Sequence, residues 1–231
     1  MKYANVVPGR FLCRPNRFIA HVEVGGQQVV AHVKNTGRCR ELLVPGCTVY
    51  LAPAADPARK TKYDLIAVEK QRGNAPALLI NMDSQAPNAA AEEWLRTGAL
   101  FSGDAVIRRE VRHGASRFDF YVEDGGRRAF LEVKGVTLED NGAVLFPDAP
   151  TERGIKHIQE LTACLEQGYE AYILFVVQLK GARLFRPNDM THPAFGAALR
   201  AARAAGVHIL AMDCRVTPGS MVLDAPVPVE L

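Results

Sequence analysis

The chain has 231 residues, 48% hydrophobic and 23% charged, the proportions of a globular protein with ample length to bury a core. No apolar run reaches the roughly 18 residues of a membrane-spanning helix. The first residues, MKYANVVPGRFLCRPNRF, scatter charges where a secretory signal would be apolar, so the expected location is the cytoplasm. The five cysteines are odd in number and form no CxxC or CxxxC pair, which argues against a disulfide framework or a zinc site. The net charge of +3 is unevenly divided, with 12 Lys and Arg against 6 Asp and Glu in residues 1–83, and 16 against 19 in residues 84–231. A basic front half suits a polyanion and an acidic back half suits a cation; scattered solvated charge is the competing reading.

In chain order, RFIAHVEV, QVVAHVKN, CTVYLAP and YDLIAVEK are rich in β-branched and aromatic residues and read as short strands. GGQ, NTGR, VPG and RGNAPA punctuate them, RELLVPG has the look of a short helical turn, and AADPARKTK of an exposed loop. Several short strands at this spacing predict a small barrel or sandwich over residues 1–83. After a boundary at 83–88 the pattern changes. NAAAEEWLRTGAL predicts a helix capped by Asn88, and AVIRREVRH, RFDFYVE and RAFLEVKG predict three consecutive strands. GAVLFPDAP adds a short strand and a loop. TERGIKHIQELTACLEQG is an amphipathic helix with Ile155, Ile158, Leu161, Thr162 and Leu165 at helical spacing. YEAYILFVVQL and VHILAMDCRV read as buried strands on either side of the Ala-rich helix PAFGAALRAARAAG. A meander followed by crossover helices predicts, over residues 84–231, a mixed central sheet flanked by helices.

Charges sit where the sheet would take apolar side chains. Asp119 lies between two phenylalanines, and Glu132 and Lys134 share one face of the next strand. If Gly125 and Gly126 form a two-residue turn, Asp119 stands directly opposite Glu132. If Asp124 and Gly125 form it, Asp119 faces Phe130 and still shares the face of Glu132. Two carboxylates so close repel unless a proton or a cation joins them. Oxygen ligands with open positions suit Mg²⁺ or Mn²⁺. Lys134 beside them can orient or deprotonate an attacking water, or neutralise a scissile phosphate. The bland alternative is an ion pair at a strand end. An acid and an ExK motif on adjacent strands, after a helix and before a crossover helix, look like the PD-(D/E)xK nuclease fold. Asp119, Glu132 and Lys134 are then the catalytic candidates, the first two as metal ligands.

The helix from Thr151 places Arg153, Lys156, His157 and Glu160 beside its apolar face. Bases at a helix N-terminus oppose the helix dipole and make sense if a phosphate docks there. Lys156 is the first choice for a fourth catalytic residue and Glu160 the second; Arg153 and His157 are candidate nucleic-acid contacts. Glu92 or Glu93 could add a further acid, though each also reads as an exposed helix residue.

Taken together, GRFLCRPNRFIAHV, NTGRCRELLVPG, SRFDFYVE, FLEVKGVTLE and FPDAPTERGIKHIQEL make the chain resemble the bacterial sugar fermentation stimulation protein A family over nearly its whole length. Pro150, where a small aliphatic residue is usual, is a minor departure at a helix start that tolerates it. The resemblance implies an N-terminal OB-like barrel, a C-terminal PD-(D/E)xK nuclease-like domain, and DNA binding without marked sequence preference. The family's name comes from a regulatory effect on sugar (maltose) metabolism, so a transcriptional role is attached to it. An OB-like barrel binds strands with a basic groove and stacking aromatics. Arg10, Arg14, Arg17, Lys34, Arg38 and Arg40 cluster in sequence around Phe11, Phe18 and His32, and Arg17, Arg38 and Arg40 are the expected phosphate contacts.

Two functions follow. One is a Mg²⁺- or Mn²⁺-dependent nuclease, acting on DNA in preference to RNA. The other is a non-catalytic DNA-binding regulator whose acidic site is a relic or an ion pair. A homodimer formed at a sheet edge would suit cleavage of two strands.

Overall fold

A computed structural model describes all residues except Thr36, Pro57 and Asn74. The first six strands are β1 (Val7–Asn16), β2 (Ile19–Val24), β3 (Gln27–Val33), β4 (Thr48–Pro53), β5 (Tyr63–Arg72) and β6 (Ala75–Asn81). They pair in the order β3-β2-β1-β4-β5-β6, and an added parallel pairing of β3 with β5 closes the first five into a barrel. Alternation explains the closure. Ala20 and Val22 of β2, Ala31 and Val33 of β3, and Val49 and Leu51 of β4 all point inward and are buried. β1 passes so close to β2 at Gly9 that a Cβ there would lie 2.5 Å from Val22 Cγ1 and 3.0 Å from the carbonyl oxygen of Glu23. Only glycine fits that approach.

This six-stranded sheet has two strands that the sequence pattern did not indicate. β1 hides behind Pro8, Gly9 and Pro15, residues that ordinarily argue against a strand. β6 begins inside the stretch read as punctuation. RELLVPG forms the expected short helical turn, with the Leu42 and Leu43 amides both donating to the Cys39 carbonyl. In NTGR, Thr36 lies outside the described residues; Asn35 Oδ1 accepts from the Gly37 amide at 2.8 Å.

By contact the chain forms two compact units: Met1–Ala86 with Gln178–Lys180 and Cys214–Val222, and Pro87–Val177 with Gly181–Asp213 and Leu223–Leu231. Beyond β6 the elements are α1 (Ala86–Leu95), β7 (Val106–His113), β8 (Ser116–Asp124), β9 (Arg127–Val136), β10 (Leu138–Asp140), β11 (Ala143–Phe146), α2 (Glu152–Glu166), β12 (Glu170–Val177), β13 (Leu184–Pro187), α3 (Pro193–Ala205), β14 (His208–Thr217) and β15 (Ser220–Pro226). The main sheet runs β15-β14-β12-β9-β8-β7. β7, β8 and β9 are an antiparallel meander, and β9, β12 and β14 are parallel, so the sheet is mixed. Seven of the eight residues of β12 are buried, as befits a central parallel strand covered on both faces. A small sheet, β10-β11-β13, stands apart.

α2 begins where Thr151 accepts from the Gly154 amide through its hydroxyl at 3.0 Å. It buries Gly154, Ile158, Leu161 and Cys164 and packs on β9 and β12. α3 ends at Gly206 in the left-handed conformation. α1 corrects an expectation. It starts two residues before Asn88, because Asp83 accepts from the amides of Gln85 and Ala86 and Pro87 suits the first turn. Asn88 is therefore not a cap and its side chain is released for other use. β10, β13 and β15 are short or edge elements absent from the sequence reading. Among the described residues no helix is long and apolar enough to cross a membrane.

Candidate active site

The β8–β9 turn settles the register. Gly125 and Gly126 both have positive φ (55° and 91°), as the two central residues of a tight hairpin turn require. Pairs run from Asp124 with Arg127 to Phe120 with Leu131, so one further step sets Asp119 across from Glu132. There the backbone pairing gives way to side-chain bonding. Asp119 Oδ2 accepts from the Val133 amide at 2.7 Å, and Oδ1 accepts from Asn88 Nδ2 at 2.8 Å. An amide of β9 and a side chain of α1 thus aim one carboxylate.

Glu132 is 4% exposed. Its Oε1 accepts from Lys134 Nζ at 2.6 Å and meets Nδ1 of His157 in a short contact. Its Oε2 is buried and has no hydrogen-bond partner among the described residues. Burying a carboxylate oxygen unpaired is costly, and a cation ligand removes that cost. The electrostatics agree. Burial, and then the charge of Glu132, push Asp119 up to about 6. Burial also opposes ionisation of Glu132, but hydrogen bonding from His157 and the charge of Lys134 outweigh it and hold Glu132 below the usual carboxylate range. Below about pH 6 one acid is ionised while its neighbour holds a proton, a pairing whose proton a divalent cation can replace. The side-chain donors are few. Among the described residues no group of three or more His, Cys, Asp and Glu is placed to hold a metal ion, so backbone oxygen, water or substrate must complete any coordination.

The helix residue that reaches these acids is His157, expected as a nucleic-acid contact. Arg153 Nε approaches its Nε2 at 3.4 Å, so the partners assign Nδ1 as the nitrogen that donates to Glu132. Lys156, expected as the fourth catalytic residue, is instead 60% exposed with Nζ 3.7 Å from Glu160 Oε1. One residue is about 100° of helix rotation, which separates Lys156 from the side of α2 that faces β9. Glu160 lies one turn further along, and its buried Oε2 has no hydrogen-bond partner among the described residues. Glu92 pairs with Arg96 at 2.8 Å and Arg109 at 3.0 Å, and Glu93 is exposed, so neither acid of α1 joins Asp119. Asn88 is the α1 residue that does. Sequence reasoning missed it, because an Asn near a helix start reads as a cap.

On the barrel, three of the six clustered bases are engaged. Arg10 pairs with Glu23, Lys34 bridges Asp64 and Asp83, and Arg14 donates to the carbonyls of Arg17, Asn35, Gly37 and Arg38. Arg17, Arg38 and Arg40 are exposed. Phe11 is core, whereas Phe18 is 49% exposed with the Arg17 guanidinium 5.9 Å from its ring centre. His32 is held by Asp64.

A closed five-stranded OB-like barrel followed by a mixed sheet with three helices is the class of protein that this architecture defines. Residues 12–77 match the SfsA N-terminal OB domain model, and residues 85–220 match the sugar fermentation stimulation protein RE domain model. The chain is 52% identical to a sugar fermentation stimulation protein homolog of Ruminiclostridium cellulolyticum, with all of both chains covered. It is 55% identical to a homolog from Desulfitobacterium hafniense, covering all of this chain and 99% of that one. The solved structure of Pyrococcus furiosus SfsA in complex with Ca²⁺ superposes with a TM-score of 0.87 at 30% identity, covering 100% and 98% of the two chains. The chain belongs to the sugar fermentation stimulation protein family.

Proposed function

We propose that the C-terminal unit is a Mg²⁺- or Mn²⁺-dependent phosphodiesterase acting on nucleic acid, DNA in preference to RNA, and that the barrel holds the strand. The observation that carries this reading is the buried Oε2 of Glu132, unpartnered among the described residues, opposite Asp119, whose carboxyl keeps its proton up to about pH 6. The Ca²⁺ complex of the Pyrococcus furiosus relative supports it, since Ca²⁺ takes the same hard oxygen donors as Mg²⁺. A bound metal would supply charge stabilisation at the phosphate and a more acidic water.

The chain's own residues do the remaining work. Asp119 and Glu132 are the acids that would hold the metal. The Val133 amide and Asn88 fix the first, and His157 fixes the second. Lys134, its side chain 16% exposed, presents an ammonium group beside Glu132. There it orients the attacking water or offsets charge on the phosphate as the new P–O bond forms and the ester P–O bond breaks. On the barrel, Arg17, Arg38 and Arg40 supply phosphate contacts and Phe18 an exposed ring for stacking.

The test is cleavage of labelled single-stranded and duplex DNA and RNA by purified protein with Mn²⁺ or Mg²⁺. Asp119→Ala and Glu132→Ala should each lower cleavage by about 10²-fold or more and leave nucleic-acid retention nearly intact. Wild-type protein that cuts no form of either polymer contradicts the reading. A second reading, a non-catalytic DNA-binding regulator of sugar (maltose) metabolism genes, draws on one feature. Glu132 Oε1 is already engaged by Lys134 and His157, as in a structural ion pair. It requires salt-sensitive DNA binding without any divalent-metal dependence.

A further inference from the structure

Next to His157, within the same unit, is a cavity of about 440 Å³. Its wall comes from the end of β7, the start of β8 and the first turns of α2, and it includes Arg112, Ser116, Arg117, Arg153, Lys156 and His157. Four side chains with permanent positive charge face one concavity. Their compensation is partial. Arg117 pairs with Glu110 at 2.8 Å and Lys156 with Glu160 at 3.7 Å, while Arg112 and Arg153 have no carboxylate partner among the described residues. Arg153 and Lys156 also stand near the positive end of α2, where cations weaken the helix unless an anion compensates them.

We propose that this cavity is a subsite for the terminal phosphomonoester of a nucleic-acid strand. An internal phosphodiester carries a single charge, and proteins that track a strand spread their bases along it. Four cations on one cavity suit a group of higher charge. A phosphomonoester carries about −1.5 to −2 at neutral pH and offers three acceptor oxygens. The arginine forks match two of them at once, and the Ser116 hydroxyl adds a neutral donor. His157 joins the cavity to the acids, since its ring lines one and its Nδ1 meets Glu132. A strand end held here is one side chain away from the candidate catalytic carboxylates. The identification of the ligand as a nucleic-acid end rests on the function proposed above.

The test needs no metal and no turnover. A short labelled DNA of one sequence, carrying a 5′-phosphate, a 3′-phosphate or neither, is titrated in EDTA with full-length protein and followed by fluorescence polarisation. One phosphorylated form should bind about tenfold tighter than the unphosphorylated strand, the worth of one charge-assisted hydrogen bond. That preference should disappear in Lys156→Gln and Arg117→Gln, and Lys156→Arg should retain it. Both side chains are more than half exposed, so the variants should fold, and matching thermal midpoints check this. Equal affinity for all three strands overturns the proposal, as does a preference that survives both Gln variants. A protein that prefers phosphorylated ends but never cuts would refute the phosphodiesterase and spare the subsite. One that cuts without such preference would do the reverse.

Discussion

Asp119 and Glu132 oppose each other across a ladder and titrate in opposite directions, and the difference lies in their partners. Glu132 has a lysine and a histidine; Asp119 has only neutral donors and a charged neighbour. A carboxyl raised from 3.8 to about 6 on folding binds a proton more tightly in the native state. Its contribution to stability is therefore full at low pH and is lost as pH rises from about 4 through 6. In metal-free protein, the wild-type unfolding free energy measured relative to Asp119→Asn should fall by about 2 to 3 kcal/mol between pH 4 and pH 7. A flat difference would show that Asp119 is not strained by its setting. At this scale the sequence was legible for the acids and Lys134, because a charge inside an apolar run is conspicuous. His157 carried a weaker signal. It lies three residues from Gly154 and four from Leu161, inside the buried stripe of α2, where a polar side chain must be facing something. Asn88 carried none that separates it from a cap.

The β8–β9 hairpin is the element on which the site depends, and its register was readable because two adjacent glycines admit few turns. Gly125 and Gly126 occupy the left-handed region, which costs other residues roughly 1 to 2 kcal/mol each. Replacing both by alanine should lower urea-unfolding stability by about 2 to 4 kcal/mol, and a variant as stable as wild type would contradict the turn assignment. Elements escaped notice where short-range chemistry masks them. β1 carries two prolines, yet Pro8 stands in register with Tyr50 of β4 and Phe11 anchors the strand in the core. β10 and β13 span three and four residues, too short for any alternation to register. The orientation of α2 is a matter of tertiary packing. Composition locates the helix but leaves its rotation open by a residue, and that residue decides whether Lys156 or His157 meets Glu132.

At the scale of the whole molecule, family membership and architecture converge. The two family models cover most of the barrel and most of the C-terminal unit, and relatives above 50% identity span the full chain. The basic front half and acidic back half match the separate tasks proposed for them, gripping a polyanion and holding a cation. Fold class was legible in the run of short strands followed by strands and crossover helices. The strand pattern alone left barrel or sandwich open, because closure depends on the parallel β3–β5 pairing between segments that no local pattern links, while the family resemblance implied the barrel. Calorimetric titration with Mn²⁺ is the decisive measurement of whether Asp119 and Glu132 together hold a divalent cation, as proposed above. Wild-type protein should give saturable heat that vanishes in both Asp119→Ala and Glu132→Ala. A silent wild type, or heat that survives both substitutions, would contradict that proposal.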